Sequence, residues 1–288
     1  MKKLISGIFL IVTIAYVQAQ TPNAQFFGFK LNTLYTCSFE QGYVDIEFLS
    51  GNRIKMWDLV DEYGDITQKN EKSGTYIINN ANGIEFITIS WNTGKQEKLL
   101  FLTNNGADLD GNNLFLYKSD SSPYYGAPTR DFAVIRDIKF GDSSWIKASS
   151  SFQETIGGKT VTYTPDKLGE KIGECWVPQK TLNEKLKLSG YVPVRKGFSI
   201  DCFYISCGFV SFSKPYLYKE NARPKKIRLT SNSGESKIIE LADTPHFQPL
   251  PKDMFYLNEV TIEILEVYPG TKYQDLCINA ICYCYQSP

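Results

Sequence analysis

Histidine is almost missing from this 288-residue chain: His246 is the only one. Any Ser-His-Asp or Cys-His catalytic arrangement would have to pass through it. It sits in Thr244-Pro245-His246-Phe247-Gln248-Pro249 with no nucleophile motif beside it, and reads as a loop residue. The same scarcity argues against zinc, because Cys282-Tyr283-Cys284 lacks the C-x₂₋₄-C spacing of a zinc knuckle. Net charge is also missing, with 31 basic residues against 31 acidic ones. That balance offers no electrostatic footprint for nucleic acid or an anionic membrane surface. After Val17 no apolar stretch approaches the ~20 residues that span a bilayer, so the chain is not expected to cross a membrane. Helical periodicity is absent too, apart from a weak stretch at Asp166–Lys171.

What is present begins with Met1-Lys2-Lys3, an apolar run from Leu4 to Val17, and Val17-Gln18-Ala19. Charge, apolar core and small-residue exit in that order are the pattern of a cleavable signal peptide over residues 1–19. The apolar core is too short for a membrane anchor, and no lipobox cysteine stands near the cleavage point. The chain is therefore expected to be secreted, periplasmic or associated with the cell surface. Export makes disulfides possible, but seven cysteines leave at least one unpaired within the chain, so at most three bridges are expected.

Aromatics make up 14% of the residues, with 18 Tyr and 18 Phe, a composition suited to strands. From Phe26 to Lys118 short alternating runs follow one another: Tyr43–Leu49, Arg53–Leu59, Thr75–Ile78, Ile84–Trp91, Glu97–Leu102 and Leu114–Tyr117. Asn/Gly turns separate them, which predicts an antiparallel meander or small barrel over residues 20–118. Ser119–Arg130 is rich in Ser, Pro and Gly and reads as a linker. Residues 131–288 are β-rich again. Lys226–Thr230 and Lys237–Leu241 flank the turn Ser231-Asn232-Ser233-Gly234, and Val260, Ile262 and Ile264 alternate until the parity shifts at Leu265, as a bulge would shift it. The expected fold class is all-β, with a β-sandwich following the N-terminal domain.

Two loops resemble known sites without meeting their requirements. Gly157-Gly158-Lys159-Thr160 lacks the earlier glycine and the strand-to-helix context of a phosphate loop. Asp108-Leu109-Asp110-Gly111-Asn112-Asn113 has its glycine fourth rather than sixth and Ser119 at the twelfth position, so at most weak calcium binding is expected. No other cofactor or metal is anticipated. Loop aromatics are a better lead, namely Tyr124, Tyr125, Trp145, Trp176, Phe209, Phe212, Tyr216 and Tyr218, because flat rings among polar groups suit sugars and protein partners alike.

Several stretches of the C-terminal part carry a family resemblance. The most specific are Tyr218-Lys219-Glu220-Asn221-Ala222-Arg223-Pro224-Lys225, a Tyr-x-x-Asn-x-Arg-x-Lys signature, and the run from Val267 through Pro269-Gly270 to Ile278. Ala148–Phe152, Cys175-Trp176-Val177-Pro178 and Leu241-Ala242-Asp243 support them in order. This part resembles the bacterial NAD glycohydrolase-type translocation or glycan-binding domain, a discoidin-like jelly roll of the coagulation-factor C type. Cys207-Gly208 and Asn279-Ala280 depart from the family's usual Asn-Gly and Ser-Glu. In the signature, Asn221 can cap a turn, and Arg223 can bridge a carboxylate such as Asp243 or Asp275. The resemblance implies a non-catalytic protein that recognises a glycan or a cell-surface protein through loops at one end of the sandwich. Trp176, Tyr216, Tyr218 and Arg223 are the candidate ligand-binding residues, with no catalytic residue assigned. The rival expectation is an exported carboxylate-dependent or toxin-like hydrolase, since the many acids supply many possible pairs. Ligand identity and oligomeric state are not encoded legibly.

Overall fold

The computed structural model describes residues 31–39, 42–63, 65–104, 114–127, 136–191, 199–255 and 259–286. The expected signal peptide and the Asp108–Asn113 loop lie outside the described residues.

Eight antiparallel strands close an N-terminal barrel. They are β1 (Thr33–Phe39), β2 (Gly42–Leu49), β3 (Arg53–Glu62), β4 (Asp65–Ala81), β5 (Ile84–Trp91), β6 (Gln96–Thr103), β7 (Leu114–Tyr117) and β8 (Tyr125–Ala127). Closure comes from Ser38 of β1 opposite Gly126 of β8. Tyr125–Ala127, inside the segment read as a linker, forms a barrel strand that the Ser/Pro/Gly composition of that segment concealed. Alternation places Val44, Ile46, Phe48, Ile54, Tyr76, Ile87, Ile89, Leu99, Phe101, Leu114 and Leu116 inside. β4 runs on past the barrel, and residues 65–72 are exposed throughout.

The C-terminal part is a sandwich of two sheets. One has the order β10 (Ile146–Ala148), β13 (Lys185–Ser189), β18 (Glu259–Tyr268), β15 (Arg223–Ser231), β16 (Ser236–Glu240). The other has the order β17 (Gln248–Leu250), β14 (Ser199–Cys207), β19 (Ile278–Gln286), β9 (Arg136–Phe140). A separate hairpin pairs β11 (Gln153–Ile156) with β12 (Lys159–Thr162). The anticipated bulge is present: Ile264 faces Ile227 and Glu266 faces Lys226, so Leu265 is skipped.

The four-stranded sheet is buried on both faces. Phe203, Ile205, Ile281 and Tyr283 point into the sandwich core. Tyr204, Ala280, Cys282 and Cys284 point the other way, against Ile84, Phe86, Leu100, Leu102, Phe115 and Tyr117 on the outside of the barrel. Double burial explains why residues 278–284 read as a nearly continuous apolar run rather than an alternating one. It also places the two family departures, Cys207 and Asn279-Ala280, in the interior.

At most three bridges were expected, and among the described residues no two cysteines lie at disulfide distance. Cys175 and Cys277 are neighbouring buried thiols, and Cys277 Sγ donates to the Asp275 carbonyl at 3.7 Å. Burial, together with the Cys277 thiol, holds the Cys175 thiol well above its ordinary range. Cys175 is therefore not poised as a nucleophile.

Candidate functional site

The Tyr218–Arg223 signature folds around a buried guanidinium. Leu217–Glu220 forms a one-turn helix, α1, and Asn221 Nδ2 caps it by donating to the Leu217 carbonyl at 2.9 Å. Arg223, 4% exposed, donates through Nη1 to the carbonyls of Tyr218 (3.0 Å) and Asn221 (2.7 Å). Its Nε and Nη2 form a fork on the two oxygens of Asp243 at 2.8 and 3.1 Å. The Tyr218 hydroxyl and Lys219 Nζ donate to the same carboxylate at 3.1 and 2.6 Å. Of the two acids anticipated for Arg223, Asp243 is the partner.

Burial by itself pushes the Asp243 carboxyl upward. Hydrogen bonds from Arg223 and then Lys219, with their positive charges, outweigh it and hold the carboxyl below the usual carboxylate range. Burial drives the Tyr218 phenol in the opposite direction, far above its ordinary value, so it acts only as a neutral donor.

These contacts revise the expected ligand surface. Trp176 and Tyr218 are fully buried, and Arg223 is nearly so. Trp176 donates through Nε1 to the Ser150 carbonyl at 3.0 Å and bridges Ile278. The Tyr218 ring fills space that only glycine leaves at Gly208 and at Gly83 of the barrel: a Cβ there would sit 2.5 and 3.0 Å from ring carbons. Three of the four candidate residues thus build the scaffold, and Tyr216 alone stays available, 45% exposed.

The scaffold holds a different surface in place. Thr271, Lys272 and Tyr273 donate their backbone N–H groups to the carbonyls of Lys219 and Glu220 at 2.8–3.2 Å, tying the 269–275 loop to α1. Gly270 permits this approach, since a Cβ there would lie 2.1 Å from the Tyr273 oxygen and 2.3 Å from that of Glu220. Tyr273 is 38% exposed and has the Lys272 ammonium 4.9 Å above its ring. Hydrogen bonding with the Tyr273 hydroxyl, and then the charge of Glu220, raise the Lys272 ammonium above its ordinary value. Glu220 Oε2, 3.8 Å from Lys272 Nζ, is buried and has no hydrogen-bond partner. Sequence reasoning missed Lys272 and Tyr273. The signal available was the polar run Thr271–Asp275 after Pro269-Gly270, which marks an exposed loop.

Residues 193–284 match the family model described as the NAD glycohydrolase translocation F5/8 type C domain. The match bears out the resemblance for the C-terminal part and contains the whole Tyr218–Asp243–Gly270 scaffold; the motifs at Ala148–Pro178 fall outside it. No curated protein matches the chain. Among the described residues no helix is long and apolar enough to cross a membrane.

Proposed function

We propose, from a C-terminal part carrying a discoidin-like F5/8 type C domain, that this is a non-catalytic binding protein acting outside the cytoplasm after loss of residues 1–19. Its discoidin-like domain engages a cell-surface glycan through Tyr216, Lys272 and Tyr273. One observation carries the reading: the exposed Tyr273 lies beside Lys272 on a loop that backbone hydrogen bonds lock to the helical turn following the exposed Tyr216. Such rings stack on sugar faces at little cost in conformational entropy, and the lysine and Glu220 supply polar contacts. The coarser role, binding or translocation, is what the domain family supports.

The exported full-length chain applied to a glycan array tests the proposal. Wild type is expected to retain a defined set of glycans. Tyr216→Ala with Tyr273→Ala should lower that binding about tenfold or more, at ~1 kcal/mol per lost ring contact. Failure of every glycan to bind, combined with retention on protease-sensitive cell-surface material, would replace the glycan by a protein partner.

A further inference from the structure

The inward-facing residues of the barrel change character at one end. Below, the layers are apolar. At the mouth beside the β5–β6 turn, Met56 on β3, Trp91 on β5 and Glu97 on β6 continue the same series, and the exposed Lys72 of β4 stands opposite Met56. Trp91 and Tyr124 pack their inner edges on the barrel core and line a cavity of about 450 Å³. Gly74, opposite Trp91, lets β4 pack closely on β5, since a Cβ there would lie 2.5 Å from the Ser90 carbonyl oxygen. A filled barrel needs no charged residue in its inward series. A charge there above an aromatic floor is the arrangement of a ligand mouth.

The rim specifies chemistry. Lys72 and Lys95 line the cavity, and the Lys118 ammonium stands 3.3 Å from the Tyr124 ring centre. Against them stand Glu97, which accepts from Trp91 Nε1 at 3.4 Å, and Asp58, 3.9 Å from Lys72 Nζ. Positive charge exceeds negative charge at the rim, so an anionic ligand is favoured. Gln96 and Thr93 add amide and hydroxyl groups around the rings. A pyranose brings hydroxyl groups for Glu97 and Thr93 to bond, which a flat aromatic acid lacks; Gln96 Nε2 donates to Ser90 Oγ at 3.4 Å and has its amide oxygen to offer.

We propose that the barrel mouth binds an acidic sugar, a pyranose bearing a carboxylate of the uronic or sialic type. The ring lies on Trp91 with Tyr124, whose face the Lys118 ammonium covers, closing one side, the carboxylate meets Lys95 and Lys72, and the hydroxyls meet Glu97, Gln96 and Thr93. This site lies on the barrel and is independent of the Tyr216–Tyr273 surface.

Calorimetric titration of the exported full-length chain tests it, with methyl glucuronide and sialyllactose against methyl glucoside, lactose and benzoate. The acidic sugars are expected to bind at least about tenfold more tightly than the neutral ones and than benzoate. Lys95→Glu and Trp91→Ala should each remove most of that binding; Gln96→Ala and Trp91→Phe, milder changes, should weaken it while leaving thermal unfolding unchanged. The Tyr216→Ala, Tyr273→Ala double variant should bind acidic sugars as wild type does, which separates this site from the discoidin-like surface. Equal affinity for neutral and acidic sugars, no heat with any sugar up to about 10 mM, or unchanged binding in Lys95→Glu and Trp91→Phe would overturn the proposal.

Discussion

At the scale of single residues, Arg223 is the side chain on which the discoidin-like loops depend. It neutralises Asp243 and satisfies two carbonyls at the end of α1. Arg223→Ala leaves those acceptors without their donor and strips a partly buried carboxylate of its partner. A loss of about 3 kcal/mol is expected in denaturant unfolding, with Arg223→Lys recovering only part of it because the fork is lost. Asp243 also makes stability depend on acid. Its folded-state carboxyl titrates lower than the unfolded one, whose value is ~3.9. The stabilisation is therefore complete above the unfolded value and disappears as pH falls through the folded value. Wild type should lose stability more steeply than Asp243→Asn as pH falls below the unfolded value of about 3.9, as followed by thermal unfolding across an acid series. The motif was legible as a structural unit, down to the Arg223–carboxylate pair. The burial of Trp176 and Tyr218 was not, because it depends on Gly208, on Ser150 and on the barrel turn at Gly83, all distant in sequence.

At the scale of elements, legibility followed the one-sided burial of strands. β5 and β7 appear with the bounds that alternation predicts, and the Leu265 bulge appears where the parity breaks. The first half of β4 was invisible: residues 65–72 are exposed on both faces, so no apolar period marks them, and pairing with β3 alone makes them a strand. β8 was hidden for another reason, since three residues give too short a run for any period to show. The contact between α1 and the 269–275 loop was equally silent, because it rests on backbone hydrogen bonds and on a missing Cβ. That absence makes a sharp test. Gly270→Ala must push apart the Tyr273 and Glu220 carbonyl oxygens, and should cost about 2–3 kcal/mol as overpacking does. Glycan capture through Tyr216 and Tyr273 should fall with it, even at temperatures where the variant remains folded. Wild-type capture by a folded Gly270→Ala protein would detach binding from this loop.

At the scale of the whole molecule, barrel and sandwich are joined rather than strung together. The outer barrel face and the four-stranded sheet share one apolar cluster, in which Phe115, Phe140 and Phe247 meet ring to ring at 5.4–6.2 Å. Polar ties frame it. Asp120, in the stretch that composition marked as a linker, accepts from the backbone N–H groups of Phe212 and Ser213 at 2.5 and 3.3 Å and from Ser211 Oγ at 3.1 Å. The lone histidine serves the same joint. Thr103 N–H donates to His246 Nδ1 at 3.1 Å, so Nδ1 carries no proton, and Nε2 lies 3.1 Å from Glu85 Oε2. The only imidazole that a Ser-His-Asp or Cys-His arrangement could use is thus 2% exposed and engaged on both ring nitrogens. With a shared core of this kind the two parts should melt together, giving one calorimetric transition in wild type. Phe247→Ala opens a cavity in the middle of the cluster and should cost about 3–5 kcal/mol. Asp120→Ala leaves the cluster intact but removes the acceptor for four donors across the joint, the Ser213 hydroxyl being the fourth. If the joint couples the two parts, Phe247→Ala should split the single transition in two, and Asp120→Ala should broaden it. Two separate transitions in wild type would mean that the interface contributes too little to couple them.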